Sequence, residues 1–188
     1  AQPTGTILAA NDGSLVLSAE PNSGRSDGTV GALRLNWLGA QDLWSIVPDR
    51  WTHVALQVSG KNWQLFVGGK LAGSGNNAPE SFAPPALQLG TKQNGFCGIV
   101  RDFRISRGQL YQPNFTPPLK FTAGEQTLAL WEMKATAGKS IRNLAPQGQA
   151  AVLDGAQWIP MNNEGQLAAE RPDGSVDLIQ AFAVLGAQ

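Results

Sequence analysis

The stretch Trp51-Thr52-His53-Val54-Ala55-Leu56-Gln57-Val58 decides the fold. Val54, Leu56 and Val58 recur at every second position, while Trp51, His53 and Gln57 take the other parity. Successive side chains of a strand point to opposite faces, so this period predicts a strand with one face in a core. Asn62-Trp63-Gln64-Leu65-Phe66-Val67 repeats the pattern, with Trp63, Leu65 and Val67 on one parity, and Gly60-Lys61 joins the two runs. Gly68-Gly69 then precedes Lys70. Two glycines between alternating runs are a tight-hairpin signal, because such turns need a positive φ that glycine adopts without steric cost.

The same reading extends outward. Leu15 and Leu17 alternate, as do Leu33, Leu35 and Trp37. Asp12-Gly13, Asp27-Gly28, Asn94-Gly95, Asp154-Gly155 and Asp173-Gly174 are turn dipeptides, read here as further positive-φ positions. Strands are predicted near 5–10, 14–19, 29–37, 42–47, 51–59, 62–67, 70–74, 86–90, 96–106, 127–132, 150–153 and 156–159. Short, regular spacing points to an all-β sandwich or barrel rather than a βαβ fold. Residues 107–112 have room for one helical turn. The proline-bearing stretch 113–126 reads as a meandering connection.

The 188 residues suit one domain with a real core. Charged residues make up 15%, and 14 Lys+Arg balance 14 Asp+Glu, so there is no basic field for nucleic acid or an anionic membrane. No apolar run approaches the roughly 20 residues of a membrane span. The one cysteine, Cys97, has no partner for a disulfide within the chain and reads first as a small buried hydrophobe. Ala1-Gln2-Pro3 is what a signal peptidase could leave behind.

Four motifs in order resemble laminin-G-like domains of the concanavalin A-like lectin/glucanase jelly-roll class. Trp51-Thr52-His53-Val54-Ala55-Leu56 is similar to their W-x-H-V-A-L strand, and Leu65-Phe66-Val67-Gly68-Gly69 to L-Y-V-D-G. Leu87-Gln88-Leu89-Gly90 is similar to L-x-L-G, and Gly95-Phe96-Cys97-Gly98-Ile99-Val100-Arg101-Asp102-Phe103-Arg104-Ile105-Ser106 to G-x-I-D-E-F-R-I-S. Tyr111-Gln112-Pro113-Asn114-Phe115-Thr116-Pro117-Pro118 resembles their Y-x-x-x-F-T-P-P. Gly68 replaces the hairpin aspartate, and Val100-Arg101 intrude near the I-D position. The family's usual first strand is missing before Gly5, so the chain is either cut within the domain or completed by a neighbour's strand. The resemblance implies a two-sheet antiparallel jelly-roll domain over 1–160, with a C-terminal extension over 161–188. It also implies a bacterial, exported protein and one structural calcium ion.

Each candidate site residue competes with a plain structural role. Asp102, Asn94 and Asp12 are the candidate calcium donors, since Ca²⁺ takes six to eight oxygens from acidic and amide groups in turns. The reading that they bond to their own backbone weighs more. Trp44, Trp37 and Asn94 are the candidate ligand contacts. Trp44 is opposite Leu43 and Val47 in parity and is the tryptophan expected at the surface, whereas Trp63 belongs to the core. His53, the only histidine, has no companion ligands for zinc and reads as a scaffold residue. Gly138-Lys139-Ser140 fails as a phosphate loop, because Met133 stands where the first glycine is needed. Asn114-Phe115-Thr116 is a sequon that Pro117 weakens, and it carries no meaning in a bacterial protein. Val176, Leu178, Ile179 and Phe182 form an apolar tail that suits partner docking.

Three functions compete. The first is a non-catalytic module outside the cytoplasm, binding carbohydrate or protein. The second is a structural subunit of a larger assembly, docking through the tail or an open sheet edge. The third is a glycoside hydrolase, which needs two carboxylates facing the sugar; the glutamates here are scattered along the chain.

Overall fold

A computed structural model of the chain describes residues 4–21, 31–37, 40–46, 51–78, 86–133, 139–146, 148–152, 154 and 186–187. The strands are β1 (Gly5–Ala10), β2 (Leu15–Pro21), β3 (Gly31–Trp37), β4 (Ala40–Ile46), β5 (Val54–Ser59), β6 (Asn62–Val67) and β7 (Lys70–Gly75). They are followed by β8 (Leu87–Leu89), β9 (Asp102–Arg107), β10 (Thr127–Glu132), β11 (Ser140–Ile141), β12 (Ala151–Val152) and β13 (Gly186–Ala187). No helix occurs among the described residues, so the expected turn at 107–112 is replaced by the end of β9 and an irregular segment. The predicted strand 96–106 begins only at Asp102, after isolated bridges at Gly95 and Cys97. Cys97 in that irregular segment is exposed, not the small buried hydrophobe expected. The predicted strand 156–159 lies outside the described residues.

One layer is a five-stranded sheet of order β4-β3-β2-β1-β8, joined antiparallel throughout. The other layer holds β5-β6-β7 and β10-β9-β13. β9 and β10 are antiparallel, and β13 pairs parallel with β9 and lies beside β5. Between the layers, Leu15, Leu17, Leu33, Leu35 and Ile46 meet Val54, Leu56, Trp63, Leu65 and Phe103 in one buried cluster. Trp63 is 4% exposed, as its parity requires, and its indole N–H donates to Asn77 Oδ1 at 2.8 Å. The core void lined by Leu8, Leu15, Leu17 and Leu56 has room for about 10 Å3, which barely admits one water and is wholly apolar.

Two local devices set the register. A bulge between Thr6 and Leu8 shifts β1 on β2, so both Ile7 and Leu8 reach the core. Gly68 and Gly69 turn the β6–β7 hairpin with φ of 59° and 82°. Gly13 and Gly60 are also left-handed, at 75° and 56°, but Gly95 is not, so Asn94-Gly95 is not the positive-φ turn its composition suggests.

β5 departs from a one-sided strand. Val54, Leu56 and Val58 face the main core, yet Ala55 and Gln57 on the other face are 0% and 1% exposed. The connection 108–121 folds over that face as a strap. Tyr111 and Phe115 stack at 4.0 Å between centroids, and both meet Phe66 edge-on. This second small core of Ala55, Phe66 and Tyr111 covers the outer side of β5 and β6.

Candidate functional site

The strap also explains His53. Its ring meets Tyr111, Phe115 and Phe121 in T-shaped contacts at 5.4, 5.3 and 5.7 Å, and Tyr111 Oη lies 3.4 Å from Nε2. Burial, with the Arg104 guanidinium as a second cause, lowers its pKa from 6.5 to about 4. Arg104 sits 4.4 Å over the Phe121 ring and donates to Tyr111 Oη at 2.6 Å. The histidine is a neutral element of the scaffold, as its motif position implies.

The three candidate calcium donors each have a partner of their own within the protein. Asp12 Oδ1 accepts from the Ser14 backbone N–H at 3.0 Å and the Ser14 hydroxyl at 2.7 Å, which lowers its pKa. It caps its own turn beyond the end of β1. Asn94 is held at the start of β1, where its carbonyl accepts from Thr6 N–H at 2.9 Å. The strand rise sets these two roughly 15 Å apart. Asp102 is buried on β9, where Arg101 Nε donates to Oδ2 at 3.2 Å. No group of three His, Cys, Asp or Glu side chains fit to hold a metal occurs among the described residues.

A pair of carboxylates does come together. Asp102 and Glu132 are directly opposed across β9 and β10. Burial raises the Asp102 pKa, and the Glu132 charge adds to the rise while Arg101 and Lys120 oppose it. Lys120 Nζ lies 3.2 Å from Glu132, and Arg101 stands 5.6 Å over the Trp51 ring while donating to the Leu119 carbonyl. Each acid thus has its own cation. The arrangement fastens residues 119–120 to the sheet and leaves Asp102 with 5% of its side chain exposed. Sequence reading missed the pair because it depends on strands some thirty residues apart.

Trp44 and Trp37 lie in β4 and β3, with side chains outside the described set. The register pairs position 44 with Leu33 and position 37 with Leu15, both core residues. Ile46, the described side chain of β4, is buried. Val176, Leu178, Ile179 and Phe182 lie outside the described residues.

Among the described residues, the outer face of the five-stranded sheet is partly exposed. Val16, Ser18 and Glu20 on β2 and Ala32, Arg34 and Asn36 on β3 point away from the core, because their neighbours Leu15, Leu17, Leu33 and Leu35 fill it. Arg34 Nε and Glu20 Oε1 are 2.8 Å apart, with 32% and 37% of their side chains exposed. Ala9, Ala32 and Ser18 form a low floor around them. The pair joins residues fourteen apart in sequence and was not among the expected sites.

A family of laminin G domains, described as the concanavalin A-like lectin/glucanases superfamily, matches residues 1–115. The chain belongs to this superfamily. No curated protein and no solved structure matched the chain. The lectin-like match ends within the strap, while Trp131 and Met133 beyond it still pack on the same core. The all-β sandwich of the resemblance is the fold observed.

Proposed function

We propose that this lectin-like domain is a non-catalytic recognition module, working outside the cytoplasm, that holds a carbohydrate on the outer face of its five-stranded sheet. The observation that carries the reading is the half-exposed Glu20–Arg34 pair on the central strands, set among Ser18, Val16 and Asn36. Planar guanidinium, carboxylate and amide groups fixed on a sheet present donors and acceptors in a rigid array, which suits the hydroxyls of a sugar. The strap covers Ala55 and Phe66 on the outer face of the opposite layer, and the core void between the layers barely admits one water. The described side chains of the open face include no aromatic, which argues against a protein partner needing large apolar anchors.

The non-catalytic part rests on the carboxylates. Asp102 and Glu132 face each other, but Asp102 is buried and both are neutralised by adjacent cations. A glycosidase pair must reach the scissile bond, with one acid free to give up its proton. A location outside the cytoplasm is supported by membership in a superfamily whose laminin G members are typically extracellular. The reading is tested with labelled protein on a glycan array, wild type against Glu20→Ala/Arg34→Ala. Retention of selected glycans by the wild type alone supports it. Capture of proteins but no glycan would turn the reading toward a protein ligand.

A further inference from the structure

Asn94-Gly95 is the one Asn-Gly pair in the sequence. Both residues are exposed, and they sit where the segment 91–98 clamps the start of β1. Thr6 N–H donates to the Asn94 carbonyl at 2.9 Å, and Cys97 N–H donates to the Thr4 carbonyl at 2.7 Å. The fit is close: a methyl group on Gly5 would stand 2.1 Å from the Gly95 carbonyl oxygen. The Asn94 side chain itself is weakly tied, through one long bond of 3.4 Å from Nδ2 to Thr6 Oγ1. Asn143 is the contrast within the same molecule. It is 8% exposed, its Oδ1 accepts from Leu130 and Ala145, and its Nδ2 donates to Gln149.

We propose that Asn94-Gly95 is a site of spontaneous deamidation whose product releases the 91–98 clamp from β1. The Gly95 backbone nitrogen attacks Asn94 Cγ, and the new C–N bond closes a succinimide ring as the Nδ2 group leaves as ammonia. Water then opens the ring at either carbonyl, giving aspartate or isoaspartate. Glycine at the second position has no Cβ to hinder the attack. Isoaspartate places one extra methylene in the main chain between the Asn94 position and Gly95. The Thr6–Asn94 bond and the seat of Gly95 against Gly5 cannot both survive that insertion. Aspartate keeps the main chain intact and leaves the clamp in place.

The test incubates the folded full chain in mildly alkaline buffer and follows peptides by mass spectrometry, with isoaspartyl methyltransferase to mark the isomer. The expected result is the mass gain of amide-to-acid exchange on the peptide holding Asn94, isoaspartate as a product, and none at Asn143. Gly95→Ala should slow the reaction strongly. That variant is structurally safe, since its Cβ would meet nothing nearer than the Thr91 carbonyl at 3.5 Å and its φ is not left-handed. Hydrogen exchange at the Thr6 amide should rise in the isoaspartate fraction and stay unchanged in Asn94→Asp. An Asn94 that stays intact in the folded chain while reacting in the denatured one overturns the proposal. So does a rate unchanged in Gly95→Ala, or a Thr6 amide equally protected in the isoaspartate form.

Discussion

Gln57 on β5 grips the backbone of Tyr111 from a distance of fifty-four residues. Its Oε1 accepts from Tyr111 N–H at 2.7 Å and from Leu110 N–H at 2.6 Å, while its Nε2 donates to the Tyr111 carbonyl at 3.0 Å. The side chain is 1% exposed. A glutamine in this place stands in for a neighbouring strand, satisfying both polar groups of an irregular segment that no ladder reaches.

Removing that grip leaves buried donors and an acceptor without partners. Gln57→Leu is expected to destabilise the domain by about 2–4 kcal/mol. Urea unfolding followed by tryptophan fluorescence measures it. The strap should also become more open to protease than the five-stranded sheet, since it is the segment the glutamine holds.

His53 gives the domain a pH dependence of known sign. Its folded pKa of about 4 lies below the ordinary 6.5, so the unfolded chain takes up the proton first. Its contribution is fully present above pH 6.5, fades as the pH falls, and is gone below about 4. The loss amounts to about 3 kcal/mol at most. Unfolding free energies at neutral and mildly acidic pH should show the decline in the wild type and a shallower one in His53→Gln.

The two hairpin glycines should respond differently to substitution. Gly68 has φ of 59° and nothing within 4 Å of a would-be Cβ, so Gly68→Asn is expected to change stability by no more than about 0.5 kcal/mol. At Gly69, φ is 82° and a Cβ would stand 2.0 Å from the Phe115 carbonyl oxygen of the strap. Gly69→Ala is expected to cost at least about 2 kcal/mol. Thermal melts of the two variants side by side decide it.

The parts of this domain that were legible in its sequence are those set by local rules. Val54, Leu56 and Val58 declare their face by period alone, and Gly68-Gly69 declares its turn. What escaped needed a partner far along the chain. Phe66 reads as the outer side of a strand until Tyr111 and Phe115 fold over it. Ile7 and Leu8 break the alternation until the bulge of β1 against β2 is known. Glu20 and Arg34 meet only through the pairing of β2 with β3, and Asp102 and Glu132 only through that of β9 with β10. Asp12, Asn94 and Asp102 have the chemistry of cation donors, and the partners that hold them, Ser14, Thr6 and Arg101, are fixed by turn and strand geometry that no local pattern displays.

Binding by the open sheet face is the central claim, and a glycan array probed with wild type and Glu20→Ala/Arg34→Ala tests it most directly. The substitutions lie on a solvated face, so unfolding midpoints should agree closely between the two proteins. The account predicts that the wild type retains a defined set of glycans and that the double variant loses them. Equal glycan binding by both proteins, or none by the wild type, would contradict it.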